Sequence, residues 1–224
     1  MATQTDQSSL PRAPLSRERV LRAALILADR GGIESLTMRK IGEELHVEAM
    51  SLYNHVANKE DILDGIVDLV FSEIALPSDR VDWNTAMRQR AISAHDTLLR
   101  HPWATSLMQS RTKPGPATLR HHDAVIGSLR SAGFTVDMAA HAFSVVDSYI
   151  YGFALQQVNL PSHTSEEAVA LAGNILRRLS TSEYPHLAEM IVEYGMKPGY
   201  AYAHEFEFGL DLILNGLERL QDTA

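Results

Sequence analysis

The sequence predicts an all-α fold, with a small three-helix head at the N-terminus followed by a larger all-helical body. Three observations predict it. The apolar periodicity is helical throughout, as in Val20, Ala23, Ala24, Leu27 and Ala28, which recur at i, i+3, i+4, i+7 and i+8. Capping residues and Gly or Pro stops punctuate the segments. No stretch alternates apolar and polar residues as a half-buried strand does, and no internal repeat is present.

The elements follow in order. Met1 to Pro14 is polar, without the apolar run of a secretory signal, and residues 1–14 read as a disordered tail. Ser16 is the N-cap of the first helix and Gly31-Gly32 its stop. Thr37 caps a short helix from Met38 to about Leu45, and a third short helix runs from about Glu48 to His55. Asn58 and Asp61 form a capping-box-like pair. They open a fourth helix, to about Ala75, that carries Ile62, Ile66, Leu69 and Val70 on one face. Pro77 and Asp79 mark a break, which sets a head over 15–76 and a body over 77–224. Further helices are expected at about 83–100, 103–109, 115–132, 135–157, 165–180, 185–194 and 203–221, separated by Pro102, Pro114, Pro116, Gly133, Pro161, Pro185 and Pro198.

Composition narrows the function. Of the 224 residues 45% are hydrophobic and 21% charged, enough for a packed core. There is no cysteine, which excludes disulfides, thiolate metal sites and cysteine catalysis. No apolar run approaches the ~20 residues that span a bilayer, so no membrane partner and a cytoplasmic location are expected. The net charge of −8 is unevenly placed. Residues 1–60 hold eight Lys/Arg and eight Asp/Glu, whereas the remainder holds twelve against twenty. An acidic body repels nucleic acid and leaves the neutral head as the surface for it.

In the head, two short helices joined by a tight turn and held on a longer helix make a helix-turn-helix, whose second short helix fits the major groove. Ile41, Leu45 and Val47 anchor the first part, and Leu52 and Val56 face inward from the second. Ala49, Met50, Ser51, Tyr53, Asn54 and His55 are left to face out. The run Leu52-Tyr53-Asn54-His55-Val56-Ala57-Asn58-Lys59 after such a turn resembles the TetR family of bacterial repressors, and the likeness covers about residues 16–75. The resemblance implies that Thr37 and Arg39 hold phosphate at a helix N-terminus. Tyr53 and Lys59 would clamp phosphate on either side of the second helix, with Lys40 adding charge. Ala49, Met50, Ser51, Asn54 and His55 would lie toward the groove. Ala49 and Met50 offer no bidentate hydrogen bond, so reading there relies on thymine methyls or DNA shape. His46 stands where such turns commonly hold glycine.

A single head binds weakly, and half-sites about one DNA turn apart require a two-fold dimer. Phe143, Val146, Ile150, Phe153 and Ala154 on one late helix, and Phe208, Leu212, Ile213, Leu217 and Leu220 on another, correspond to the dimer bundle of the family. The segments Leu98–Trp103 and Asp147–Leu155 resemble the C-terminal domain of tetracycline-repressor relatives. That likeness implies an effector pocket in each body, with Met87, Arg90, His95, Trp103, Met108, His122, Phe143, Asp147 and Tyr151 as candidate contacts. Thioether, aromatic and a few polar groups together suit a small molecule.

Enzyme motifs are absent from the sequence. His121-His122-Asp123 is its densest titratable cluster, but neighbours on a helix point about 100° apart and do not converge on one ion. No metalloprotease, nucleophile-elbow or phosphate-loop motif occurs. The expected function is therefore a homodimeric repressor of palindromic operator DNA, released by a small-molecule effector, with no catalysis, cofactor or metal. A DNA-binding regulator governed by a protein partner or by its own abundance is the alternative, and activation stays open beside repression.

Overall fold

The helices begin where short polar side chains satisfy the free N–H groups of a first turn. In the computed structural model, which describes residues 14–161, 164–197, 199–200 and 202–221, Ser16 Oγ accepts from Arg19 N at 3.3 Å and opens α1 (Arg17–Gly31). Each such cap is worth about 1 kcal/mol. Gly32 ends α1 at φ 71°, a left-handed conformation open to glycine without strain. Residues 1–13 of the tail expected over 1–14 lie outside the described residues, as does Pro198.

By contacts the chain divides into two compact units, Met1–Val67 and Asp68–Ala224. In the first, Thr37 Oγ1 accepts from Lys40 N at 3.2 Å to start α2 (Met38–Leu45), and α3 follows (Ala49–Leu52). Val20, Ala24, Leu36, Ile41, Leu52 and Val56 are buried. The start of α4 (Lys59–Glu73) is fixed by an Asx pair. Asn58 Oδ1 accepts from Asp61 N, and the Asp61 carboxylate accepts from Ala57 N, both at 2.9 Å. That carboxylate also receives Arg17 through two bonds, at 2.8 and 3.1 Å, which ties the start of α1 to the start of α4. Gly65 lets α1 approach, since a Cβ there would lie 2.5 Å from Leu21. The boundary between the units falls inside α4, ahead of the Pro77 break.

The second unit holds the end of α4, then α5 (Trp83–Arg100), α6 (Ala104–Met108), α7 (Pro116–Ser131) and α8 (Val136–Val158). It continues through α9 (Ser165–Arg178), α10 (Pro185–Met190), a π turn (Ile191–Gly195) and α11 (Ala203–Gln221). Among the described residues there is no strand. The core lies where α5, α8 and α11 pack on one another and α7 closes over α5 and α8. Ala86, Ala91 and Ala94 on α5 and Ala139, Ala142 and Ala154 on α8 are buried, and their small side chains allow close helix approach. Ile150, Leu210, Leu214, Leu129 and Phe134 fill the space between.

The dimer faces read from the sequence need one correction. Val146, Ile150, Phe153, Ala154 and Leu217 are buried within the single chain. Phe208 and Leu212 stay 65% and 61% exposed, together with Leu220, Val145 and Leu155.

Candidate DNA interface and ligand-binding core

The turn between α2 and α3 orients the side chains expected to face DNA. His46 takes φ 56° and ψ 46°, the left-handed conformation a glycine would adopt more cheaply. Its N–H and that of Val47 bond back to Glu43 and Gly42 carbonyls at 3.2 and 2.9 Å. The glycine this turn requires sits one helical turn earlier. A Cβ on Gly42 would come within 2.8 Å of Val47 O and 3.2 Å of Ala49 N. Sequence reading singled out position 46 and missed Gly42, whose buried place in α2 is the signal.

α3 is shorter than expected. Regular helix stops at Leu52, and Tyr53, Asn54 and His55 form a tightened turn whose N–H groups reach Met50, Ser51 and Leu52 carbonyls at 3.3, 3.4 and 2.9 Å. The tightening carries the chain within a few residues to the Asn58 cap. Thr37, Arg39, Lys40, Asn54 and Lys59 are exposed, and Ala49, Ser51 and His55 half-buried. Met50 is 75% and Tyr53 47% exposed, large apolar surface with no structural use in this unit. Arg39 pairs with Glu43 at 3.0 Å across one turn of α2, an exposed contact easily exchanged for phosphate.

The body contains a buried polar cluster. Arg90 of α5, 1% exposed, donates Nη1 to Asp147 Oδ1 of α8 at 2.5 Å. Its Nε and Nη2 meet His121 Nε2 of α7 at 3.0 and 2.7 Å. Guanidinium has no acceptor, so Nε2 must accept and the imidazole proton sits on Nδ1. His121 is 0% exposed, and its Nδ1 meets no acceptor among the described residues. Burial and then the Arg90 charge push His121 down to about 3, so it is neutral at physiological pH. Tyr151 donates to Asp147 Oδ2 at 3.3 Å; burial, then the Asp147 charge, raise its phenol well above the ordinary value. One charge of each sign is therefore enclosed with its hydrogen bonds largely met, an arrangement strongly destabilised by losing either partner.

Six of the nine expected ligand contacts come together here. Met87, Arg90, Phe143 and Asp147 line one cleft between α5, α7, α8 and α11 that leaves no room for a water molecule. Tyr151 reaches Asp147, and the His122 ring lies edge-on to Phe143 at 5.3 Å. The other three lie apart. His95 stacks on Phe206 at 4.1 Å and bonds Gln157 at 2.9 Å. Trp103 lies at the α5–α6 corner beside His101, and Met108 ends α6. His121 was considered in the sequence only as a metal ligand, yet it is central to the cluster. Among the described residues no three His, Asp or Glu side chains converge as a metal site.

The same cluster touches the end of α4. Phe71 packs on His121 and His122 with ring centroids 5.5 and 5.4 Å apart. Asp68 caps α7 from outside, accepting from Thr118 N at 2.8 Å and Thr118 Oγ1 at 2.9 Å. Gly115 leaves space for that carboxylate, which a Cβ there would overlap. Glu73 receives Arg100 at 2.8 Å and faces His101 at 3.2 Å.

Comparison with known proteins decides the family. Residues 20–66 match the description "Bacterial regulatory proteins, tetR family", and residues 76–221 match "Tetracyclin repressor-like, C-terminal domain". The chain belongs to the TetR family. It is 32% identical to the HTH-type transcriptional repressor DrrR1 of Streptomyces coeruleorubidus, over 94% of this chain and 80% of that one. Against the class C tetracycline repressor of Escherichia coli it is 29% identical over 94% of each. The structure of Streptomyces coelicolor ActR in complex with actinorhodin superposes with a TM-score of 0.76, at 26% identity, covering 93% of this chain and 99% of ActR. As a TetR-family member, this chain is a DNA-binding transcriptional regulator rather than an enzyme. No helix among the described residues is long and apolar enough to cross a membrane.

Proposed function

We propose that this TetR-family protein is a ligand-responsive repressor that binds palindromic operator DNA as a homodimer and is released by a small-molecule effector. The observation that supports the DNA half is the exposure of Thr37, Arg39, Lys40, Tyr53, Asn54 and Lys59, with Met50 of α3 the most exposed of the large apolar side chains in this unit. Phosphate contacts come from the helix start and the basic and phenolic groups, and base contacts from Ala49, Met50, Ser51, Asn54 and His55. Phe208 and Leu212, one turn apart on α11, support the homodimer, since a soluble chain rarely leaves such side chains uncovered.

The effector half rests on the Arg90 cluster. Arg90 joins Asp147 and Tyr151 on one side to His121 on the other, whose unpaired N–H is a donor awaiting an acceptor atom, and Met87 and Phe143 line the adjoining cleft. The cleft has no room as it stands, so an effector there must open it. Opening shifts α7, and α7 is tied to α4 through Asp68 and Phe71. Coupling follows if the effector binds the shifted state more tightly. Repression and effector release are consistent with DrrR1, described as a repressor, and with ActR, captured with actinorhodin.

Tyr53→Ala tests the DNA half. At fixed salt it should weaken operator binding about tenfold or more and leave the oligomeric state unchanged, read by fluorescence anisotropy and sedimentation. The wild-type affinity should fall steeply with salt as phosphate contacts release counterions. Unchanged affinity in the variant together with a flat salt response would rule out this face.

A further inference from the structure

A second cavity lies in the body, and none of its lining residues belongs to the Arg90 cleft. α9 is 14 residues long, yet none of its residues is buried. Ala168, Leu171, Ala172 and Ile175 nevertheless form an apolar stripe at helical spacing, and all four line a cavity of about 250 Å³. The opposite wall includes Ile191 and Gly195, the two ends of the π turn that follows α10. The wider turn draws Ile191 and Gly195 apart and leaves room between them and α9. An apolar cavity of about 150 Å³ takes up benzene, so this one, larger and open on one side, has room for a two- or three-ring molecule.

Two polar side chains on the lining have donors to offer. Gln157 lines one end and commits its Oε1 to His95, which leaves its amide N–H groups to offer. Tyr200 lines the other side; its ring packs on Tyr194 at 5.2 Å, and its hydroxyl has no partner among the described residues. Tyr202, by contrast, already donates to Gln156 at 2.7 Å, and Thr164 caps α9. A guest matching this lining is flat and apolar, with oxygen acceptors at its edge.

We infer that the cavity between α9, the π turn and the start of α11 is a ligand site, separate from the Arg90 cluster, for a flat aromatic carbonyl compound. Its guest enters without any displacement of the core, unlike one at Arg90.

The test uses the full-length protein and 9-fluorenone, a three-ring ketone whose emission responds to hydrogen-bond donors. Wild type should bind it saturably, one per chain. Ala168→Leu and Ala172→Leu, made separately, should each fill the space, lower affinity at least tenfold, and leave the melting temperature equal or higher. Tyr200→Phe should weaken binding about fivefold and change the emission of the bound ketone. Absence of saturable binding overturns the proposal. So does binding that survives both leucine variants, which would place the ketone elsewhere, or a lower melting temperature in both, which would mean the space is not open. No DNA enters the measurement, so a negative result leaves the repressor reading standing, and a protein that fails to bind DNA leaves this site to be judged by itself.

Discussion

At the scale of single residues, two positions carry strain or charge that a measurement can read. His46 holds a left-handed backbone that disfavours any side chain with a Cβ. His46→Gly removes that strain but gives the unfolded chain more freedom, so a net gain of about 0.5–1 kcal/mol is expected. Thermal melting should move up by a few degrees; a lower midpoint would mean the imidazole makes a contact worth more than the strain. His121 reads out as a pH effect. Unfolded, it takes a proton near its ordinary value of 6.5; folded, it resists until about 3. The folded pKa is depressed, so this contribution is intact above 6.5 and is lost as pH falls toward 3. Between pH 7 and 5 the loss is about 2 kcal/mol for this one group. Urea melts at both values should show a smaller drop for His121→Asn than for wild type. Parallel drops would place the His121 proton elsewhere.

At the scale of elements, caps made the helices legible and long-range packing hid the rest. The bounds of α5, α8 and α11 fall within about two residues of those expected, because Asp82, Thr135 and the surrounding Pro and Gly residues are local signals. The short α3 was not legible, since its last turn is tightened by the approach to α4 rather than by its own sequence. The buried face of α8 was also hidden: Val145 and Val146 are both apolar, and only packing on α5 and α11 decides which turns inward. The Arg90 cluster joins residues 31 and 57 positions apart, a separation no local pattern bridges. One signal was available for His121, which shares a stripe with Thr118, Val125 and Leu129, all buried on α7. The face of α11 that stays open gives the prediction at this scale. Phe208→Arg combined with Leu212→Arg should convert a dimer to monomers in sedimentation, with the helical signal retained. A dimer of unchanged stability would move the interface off α11.

At the scale of the whole molecule, a DNA-binding head of the TetR family precedes a tetracycline-repressor-like body. Residues 1–60 carry balanced charge, eight Lys/Arg against eight Asp/Glu, and the remainder carries the acidic excess, which favours docking through the N-terminal helices. The helix shared by both units, α4, meets the buried cluster through Phe71 and anchors α7 through Asp68. The central claim is that two heads read a two-fold symmetric operator. Selection of bound duplexes from a randomised DNA library by the purified protein tests it most directly. Enrichment of an inverted repeat with half-sites centred about one helical turn apart, or more, is expected, and it should be lost in the Tyr53→Ala protein. Enrichment of a single unrepeated site, or none, would contradict it.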